Sequence, residues 1–211
     1  MGNILKFIET PYIDAQTLLT LLADYQRPRE AILRMIEKNE LIRLKNGFYL
    51  ISEKVTNGST RDIPFELVAN LLYGPSYISM EWALSFYGMI PERVHTITSM
   101  TLGRNKEYRT PVGCFAYFTL NSEVYSIGIT QKKSQGFIGG FLIASPEKAL
   151  ADTVFKTCKN LDKEQLRDEL LESKRIDRKC FHQLNKSLLE DIAKSYHTKH
   201  VYYLSELVGV L

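Results

Sequence analysis

Along the first fifty residues, apolar positions recur with helical spacing and then switch to alternation. Ile4, Leu5 and Ile8 mark one face of a short helix over residues 3–9. Leu18, Leu19 and Leu22 mark a second over 14–23, with Asp14 placed as its N-cap. Ile32, Met35 and Ile36 give a third, opened by Pro28, whose missing N–H is not needed in a first turn. The pattern then alternates as far as Ile51 around Asn46-Gly47, the strongest short-range signal for a tight hairpin. Three helices followed at once by a hairpin is the order of a winged helix-turn-helix. In that module a helix enters the DNA major groove and the hairpin touches the flanking backbone. An αββ piece of an ordinary small core has the same pattern.

Ser52 to Ile63 is polar and reads as a linker between a domain at 1–55 and a larger one at 64–211. Beyond it the pattern predicts a helix from Pro64 to Tyr73, ended by Gly74-Pro75. A second carries Trp82, Ala83 and Phe86, with Ser79 as cap and a stop at Gly88 and Pro91. Strands are expected over Val94–Met100, Thr110–Leu120, Val124–Gln131 and within Gly136–Ser145, with a loop at Gly103–Lys106. Ser145-Pro146-Glu147 opens a helix through Phe155. The tail is helical. One segment holds Leu166, Leu170 and Leu171; a second has the stripe Phe181, Leu184, Leu188, Ile192 and Tyr196; a third has Val201, Leu204, Leu207, Val208 and Leu211. The fold class expected is α+β: an N-terminal winged helix-turn-helix, a mixed α/β domain and a helical C-terminal tail.

Composition narrows the function. A hydrophobic share of 45% and a charged share of 24% are ordinary globular values. A net charge of +3 permits nucleic-acid contact and predicts weak non-specific polyanion binding. Cys114, Cys158 and Cys180 are far apart and form no CxxC, which points to reduced thiols in a cytoplasm. The start, MGNILKFIETPY, lacks the pattern of a signal peptide, and the longest apolar run, Phe137 to Ala144, is too short for a bilayer. A cytoplasmic protein with no membrane partner is expected.

If Ile32, Met35 and Ile36 face inward, Arg27, Arg29, Glu30, Arg34 and Glu37 face outward. An arginine fork suits guanine edges or phosphate. Arg43, Lys45 and Asn46, on or beside the wing, suit phosphate contacts. Residues 1–60 carry eight Lys and Arg against seven Asp and Glu, a net of only +1, so paired copies on repeated half-sites, or help from the basic loops of the second domain, are expected. A second basic set, Arg104, Lys106, Arg109, Lys132 and Lys133, is expected in loops near Tyr108 and Tyr125, suited to nucleic acid or an acidic protein.

Catalytic chemistry is not visible. Ser145-Pro146-Glu147-Lys148 matches the S-x-x-K of serine acyl enzymes, but reads as a helix start with no S-D-N or K-T-G after it. His197 and His200 lack Cys or acidic partners for zinc. Gly136, Gly139 and Gly140 lack the strand–glycine–helix context of a dinucleotide site, and no Walker A sequence occurs. Glu147 and Asp152 read as a solvated helix face. No catalytic residue, metal or cofactor is expected.

The run YISMEWALSFYGMIPERVHTITSMTLGRNKEYRTPVGCFAYFTL, from Tyr77 to Leu120, resembles the AbiEi-type antitoxins, transcriptional regulators of type IV toxin–antitoxin systems. KNGFYLI at Lys45–Ile51 and ASPEKALADTVF at Ala144–Phe155 agree with it. The likeness spans about residues 12–155; the tail beyond Lys156 is only loosely covered. It implies a winged helix-turn-helix that binds the operon's own promoter, and a second domain that counters a nucleotidyltransferase-like toxin with or without a stable complex. Arg27, Arg29, Arg34, Arg43, Lys45 and Asn46 carry over as the DNA-contacting positions; Ser79, Gly88, Pro146 and Leu150 look architectural. The resulting expectation is a DNA-binding antitoxin and autorepressor without enzymatic activity. The alternative is a protein-interaction module using the winged helix as a scaffold, favoured by the amphipathic tail and the weak charge of the first domain. A nuclease, suggested by the basic loops at 104–133, lacks a metal-binding carboxylate set.

Overall fold

Asp14 ends a three-residue strand, β1 (Tyr12–Asp14), and caps the helix that follows, α1 (Ala15–Leu21). Its carboxylate accepts from the Thr17 backbone N–H at 2.9 Å and from the Thr17 hydroxyl at 2.7 Å. Those bonds favour the charged form and hold the Asp14 carboxyl below its usual range. The computed structural model describes residues 4–55, 64–134 and 139–208. Upstream of β1, the helix expected over 3–9 is a single 3-10 turn, Ile4–Phe7. Helix α2 (Pro28–Glu37) starts at Pro28 as expected. It stops where Asn39 takes a φ of +56° and the Glu40 N–H returns to the Met35 carbonyl at 2.8 Å, a left-handed exit that asparagine tolerates. Strands β2 (Leu41–Lys45) and β3 (Phe48–Ile51) form the hairpin around Asn46-Gly47, with Gly47 at a φ of +76°. β1, too short to show alternation in the sequence, pairs with the far side of β3, giving an antiparallel sheet in the order β1-β3-β2.

β3 is buried on both faces. Tyr49 and Ile51 enter a small core with Leu5, Ile13, Leu18, Leu22, Ile32 and Leu41. Phe48 and Leu50, together with Leu44 and Val55, enter the large core of the rest of the chain. The expected linker begins as one more helical turn, α3 (Ser52–Val55); its centre, Asn57-Gly58-Ser59-Thr60, lies outside the described residues.

The large core is built on a six-stranded mixed sheet. Its strands are β4 (Ser76–Ile78), β5 (Ile97–Thr101), β6 (Lys106–Thr110), β7 (Gly113–Thr119), β8 (Ile129–Lys133) and β9 (Gly140–Ala144), in the order β6-β7-β5-β4-β9-β8. β7 runs parallel to β5 and β4 to β9; the other neighbours are antiparallel. Helix α4 (Phe65–Leu72) covers one face, where the Tyr117 hydroxyl donates to the Ala69 carbonyl at 2.6 Å. Tyr77 pairs with Met100 while Tyr117 pairs with its neighbour Ser99, so Tyr77 points from the opposite face. On that side lie α5 (Met80–Phe86) and α7 (Pro146–Thr157). Two expectations change here. Strand β6 starts inside the expected loop, at Lys106, and turns into β7 beyond Thr110. Val124 belongs to a helical turn, α6 (Ser122–Tyr125), whose one buried side chain imitates a strand's apolar position.

The tail comprises α8 (Lys163–Asp168), continued by a π-helical turn at Glu169–Ser173, then α9 (Arg178–His182), α10 (Lys186–Tyr196) and α11 (Lys199–Val208). The stripe from Phe181 to Tyr196 is broken at Asn185, whose side chain accepts from the Leu188 N–H at 3.1 Å and restarts the helix. Leu189, Ile192, Tyr196, Val201 and Leu204 are all buried, so these faces are core.

Gly128, in the turn before β8, has a φ of +75°, and a Cβ there would lie 2.9 Å from the Lys148 Cβ and 3.1 Å from the Ile192 Cδ1. Gly128→Ala is therefore expected to destabilise the fold by about 2 kcal/mol, the cost of overpacking together with left-handed backbone. Urea unfolding measures it, and an unchanged midpoint contradicts the packing described.

Candidate functional site

The exposed side of α2 carries Arg27, Arg29, Glu30 and Arg34. The Glu30 carboxylate lies 3.1 Å from Arg27 and 3.7 Å from Arg34, a ladder of one-turn spacings. Such exposed pairs are worth little and exchange readily for other anions. Arg29 is exposed and makes no ion pair among the described residues. Leu33 stands on the same helix with 55% of its surface exposed. A groove of about 680 Å³ lies between α2 and the Ile4 turn, with Tyr25, Arg27, Arg34 and Lys38 on its walls. On the hairpin, Arg43 and Asn46 are exposed and the Arg43 guanidinium donates to the Asn46 side-chain oxygen, so the two act as one unit.

Lys45 is placed otherwise. Its ammonium donates to the Leu72 carbonyl at the end of α4 at 2.5 Å and lies 5.7 Å from the Phe48 ring centroid; burial lowers its pKa. It fastens the hairpin to the large core, a use of a lysine beside a tight turn that the sequence does not distinguish from an exposed one.

The second basic set is not a cluster of loops. Arg104 precedes β6, which carries Lys106 and Arg109; Lys132 and Lys133 end β8 at the opposite edge of the sheet. Four strands separate the two groups. β6 lies beside β2, so Lys106 and Arg109 belong to the hairpin's flank, with Arg109 held by Glu107 at 2.8 Å.

The densest polar arrangement was not expected from the sequence. Glu147 and Asp152, read as a solvated face, are buried. The side chains of Lys148 and Asp152 are both 0% exposed, 3.6 Å apart. Asp152 Oδ2 accepts from the Tyr77 hydroxyl at 3.0 Å and the Ser79 hydroxyl at 2.6 Å, and Oδ1 accepts from the Tyr196 hydroxyl. The Lys148 ammonium donates to the Val124 carbonyl at 2.8 Å and to the Tyr196 oxygen at 2.9 Å. Ser79 thus gives its hydroxyl to Asp152 and does not cap α5. Ser145 caps α7 and donates to Glu147 at 2.7 Å, while Glu147 also accepts from the Asn185 N–H at 2.7 Å; the S-x-x-K match therefore places no ammonium beside the serine. Burial pushes the Lys148 ammonium down although Asp152 opposes it, and pushes the Tyr77 and Tyr196 phenols up with help from Asp152. The available signal was a lysine and an aspartate one turn apart with Ala149, Leu150 and Ala151 between them. This hub is closed to solvent, and it ties together β4, α5, α6, α7 and α10.

Asp152→Ala leaves a buried ammonium and three hydroxyls without their acceptor and is expected to cost about 3–5 kcal/mol in denaturant unfolding. Lys148→Met combined with Asp152→Leu is expected to recover much of that loss; a double variant as unstable as the single one argues against a closed charge pair. The phenols predict alkaline sensitivity. Tyr77, Tyr117 and Tyr196 have folded pKa values raised by burial, and that of Tyr87 is pushed from 10.0 to about 12. The folded chain then binds more protons than the unfolded one above pH 10, so this contribution is complete below 10 and is lost as pH rises through the folded values. Lys45, Lys148 and Lys156, whose burial lowers their pKa values, work in the opposite direction as pH approaches 10.5, but Tyr108 and Tyr125 are raised as well, so the phenols outnumber them. Stability is expected to fall steeply above about pH 10, read as a falling urea midpoint in a series of unfolding curves from about pH 8 to about pH 12; a midpoint unchanged across that range contradicts it.

No family model and no curated protein matches the sequence. Among solved structures, the chain is similar to the RV2827C protein of Mycobacterium tuberculosis, with a TM-score of 0.57 and 10% identity over 97% of this chain and 74% of that one. At that identity the likeness is one of mixed α+β fold.

Proposed function

We propose that the chain is a DNA-binding antitoxin and autorepressor of a toxin–antitoxin operon, acting in the cytoplasm by binding rather than by catalysis. The observation that carries the reading is α2 followed after three residues by a hairpin that β1 closes from behind, which we read as a winged helix. In this reading α2 enters the major groove with Arg29 and Arg34, and Arg43 with Asn46 meets phosphate at the wing. Lys45 leaves the contact set because α4 holds it, and Lys106 on the adjoining β6 extends the basic flank. The resemblance over Tyr77 to Leu120 supports a role for the larger sheet against a nucleotidyltransferase-like toxin. The near-neutral charge of residues 1–60 favours paired copies on repeated half-sites.

A second reading, a protein-interaction module on a winged-helix scaffold, is favoured by exposed Leu33 and by Glu30, which already answers Arg27 and Arg34.

Fluorescence anisotropy with duplex DNA from upstream of the gene separates the two. Binding at low salt is expected, weakened about tenfold or more by Arg29→Ala with Arg34→Ala, while Lys45→Ala lowers stability and leaves affinity in place. Each lost phosphate contact should reduce the salt slope by about one unit. No binding at low salt, or a double variant that binds as the parent does, overturns the DNA reading. A stable complex with the neighbouring gene product and no DNA affinity favours the module.

A further inference from the structure

We infer that the cleft where β5 and β7 begin binds a nucleotide, taking a base on the Trp82–Phe86 stack and phosphate on Arg93 and His95. The cleft holds about 460 Å³ and is lined by Phe65, Glu66, Trp82, Phe86, Arg93 and His95, among others. That volume lies in the range of small-ligand sites.

The aromatic wall is built to stay in place. Trp82 and Phe86, one turn apart on α5, stack with centroids 5.6 Å apart and planes 18° from parallel. Phe86 is braced edge-on by Tyr87 at 5.3 Å and by Phe141 at 6.0 Å, yet 45% of it is exposed. A rigid, open aromatic surface of this kind adds a further planar ring at low entropic cost; base–aromatic stacking is worth about 1–3 kcal/mol per base.

The cations are free to meet an anion. Arg93 and His95 are exposed and make no ion pair among the described residues, whereas the next arginine in this region, Arg175, is bound to Glu92 at 3.0 Å. An arginine fork suits phosphate oxygens. Glu66 offers an acceptor for a base amino group or a ribose hydroxyl. A purely apolar ligand would leave Arg93 and His95 unanswered, and a bare phosphate would leave the stack unused. The ligand class is thus a phosphorylated base, free or within a single strand. The site lies at the start of α4, at the other end of that helix from the Leu72 carbonyl that holds Lys45, so it is separate from the surface of α2.

Trp82 is the only tryptophan in the chain, so its emission reports this cleft alone. The probes are ADP carrying a methylanthraniloyl label, which accepts energy from tryptophan, and unlabelled decathymidylate. Saturable energy transfer that unlabelled ADP reverses is expected for a free nucleotide; quenching by decathymidylate without transfer from the labelled ADP is expected for a single strand. Either binding should weaken about tenfold or more in Arg93→Ala, an exposed position whose loss leaves the fold and duplex binding in place. The proposal is overturned if neither probe alters Trp82 emission at millimolar concentration, or if Arg93→Ala with His95→Ala binds as the parent does. Duplex anisotropy with the same variants keeps this result distinct from that of the α2 surface.

Discussion

A carboxylate and an ammonium taken wholly out of water must find every partner inside the protein, and Asp152 and Lys148 do so by recruiting four elements besides their own helix. The aspartate takes three hydroxyls, from β4, from the start of α5 and from the end of α10; the lysine takes a carbonyl from α6 and the tyrosine that already serves the aspartate. Tyr196 therefore donates one way and accepts the other, which fixes α10 in rotation as well as position. A hydrophobic core tolerates small slips of one helix over another; a closed set of hydrogen bonds does not. A buried ion pair is weak evidence for stability in itself; what this one does geometrically is tie the end of α10 to α7 through Tyr196.

The two surfaces proposed for partners are of a different kind. Beside and on α2 and on the hairpin, Arg27, Arg29, Arg34 and Arg43 are exposed and set by helical and hairpin spacing, which in the proposed reading suits a polyanion whose own charges recur regularly. At the cleft beside α5, aromatic rings are fixed by their neighbours, and Arg93 and His95 make no ion pair among the described residues. One surface favours a long regular partner and the other a single flat group with a negative end. Both are assembled from residues that take no part in the Asp152 hub, so surface and framework are chemically separate.

How much of this was legible in the sequence follows from range. Asp14, Pro28, Asn46-Gly47, Ser145 and Pro146 act on residues within one turn of themselves, and the elements they announce are present. β1 and β4 have three residues each and owe their pairing to partners more than twenty positions away, so no periodicity marks them. Val124 and Lys45 show a subtler failure: each has the residue type expected of its apparent role, and a neighbour distant in sequence gives it another. The hub was misread for the same reason. Glu147 and Asp152 on one helix look like a solvated face unless Tyr77 and Tyr196 are known to cover Asp152 and the Asn185 N–H to reach Glu147.

The strand from Phe48 to Ile51 has no face of its own to give to solvent. Its even-numbered residues belong to the large core and its odd-numbered ones to the small one, and the hairpin tip is pinned to α4 besides. The two halves of the molecule thus share a wall, as adjoining rooms do. A force or a bound molecule that shifts α4 by a fraction of an ångström moves the far side of that wall with it, because close-packed interiors transmit strain and leave no slack to absorb it. Arg43 of the hairpin is, mechanically, carried by the larger sheet.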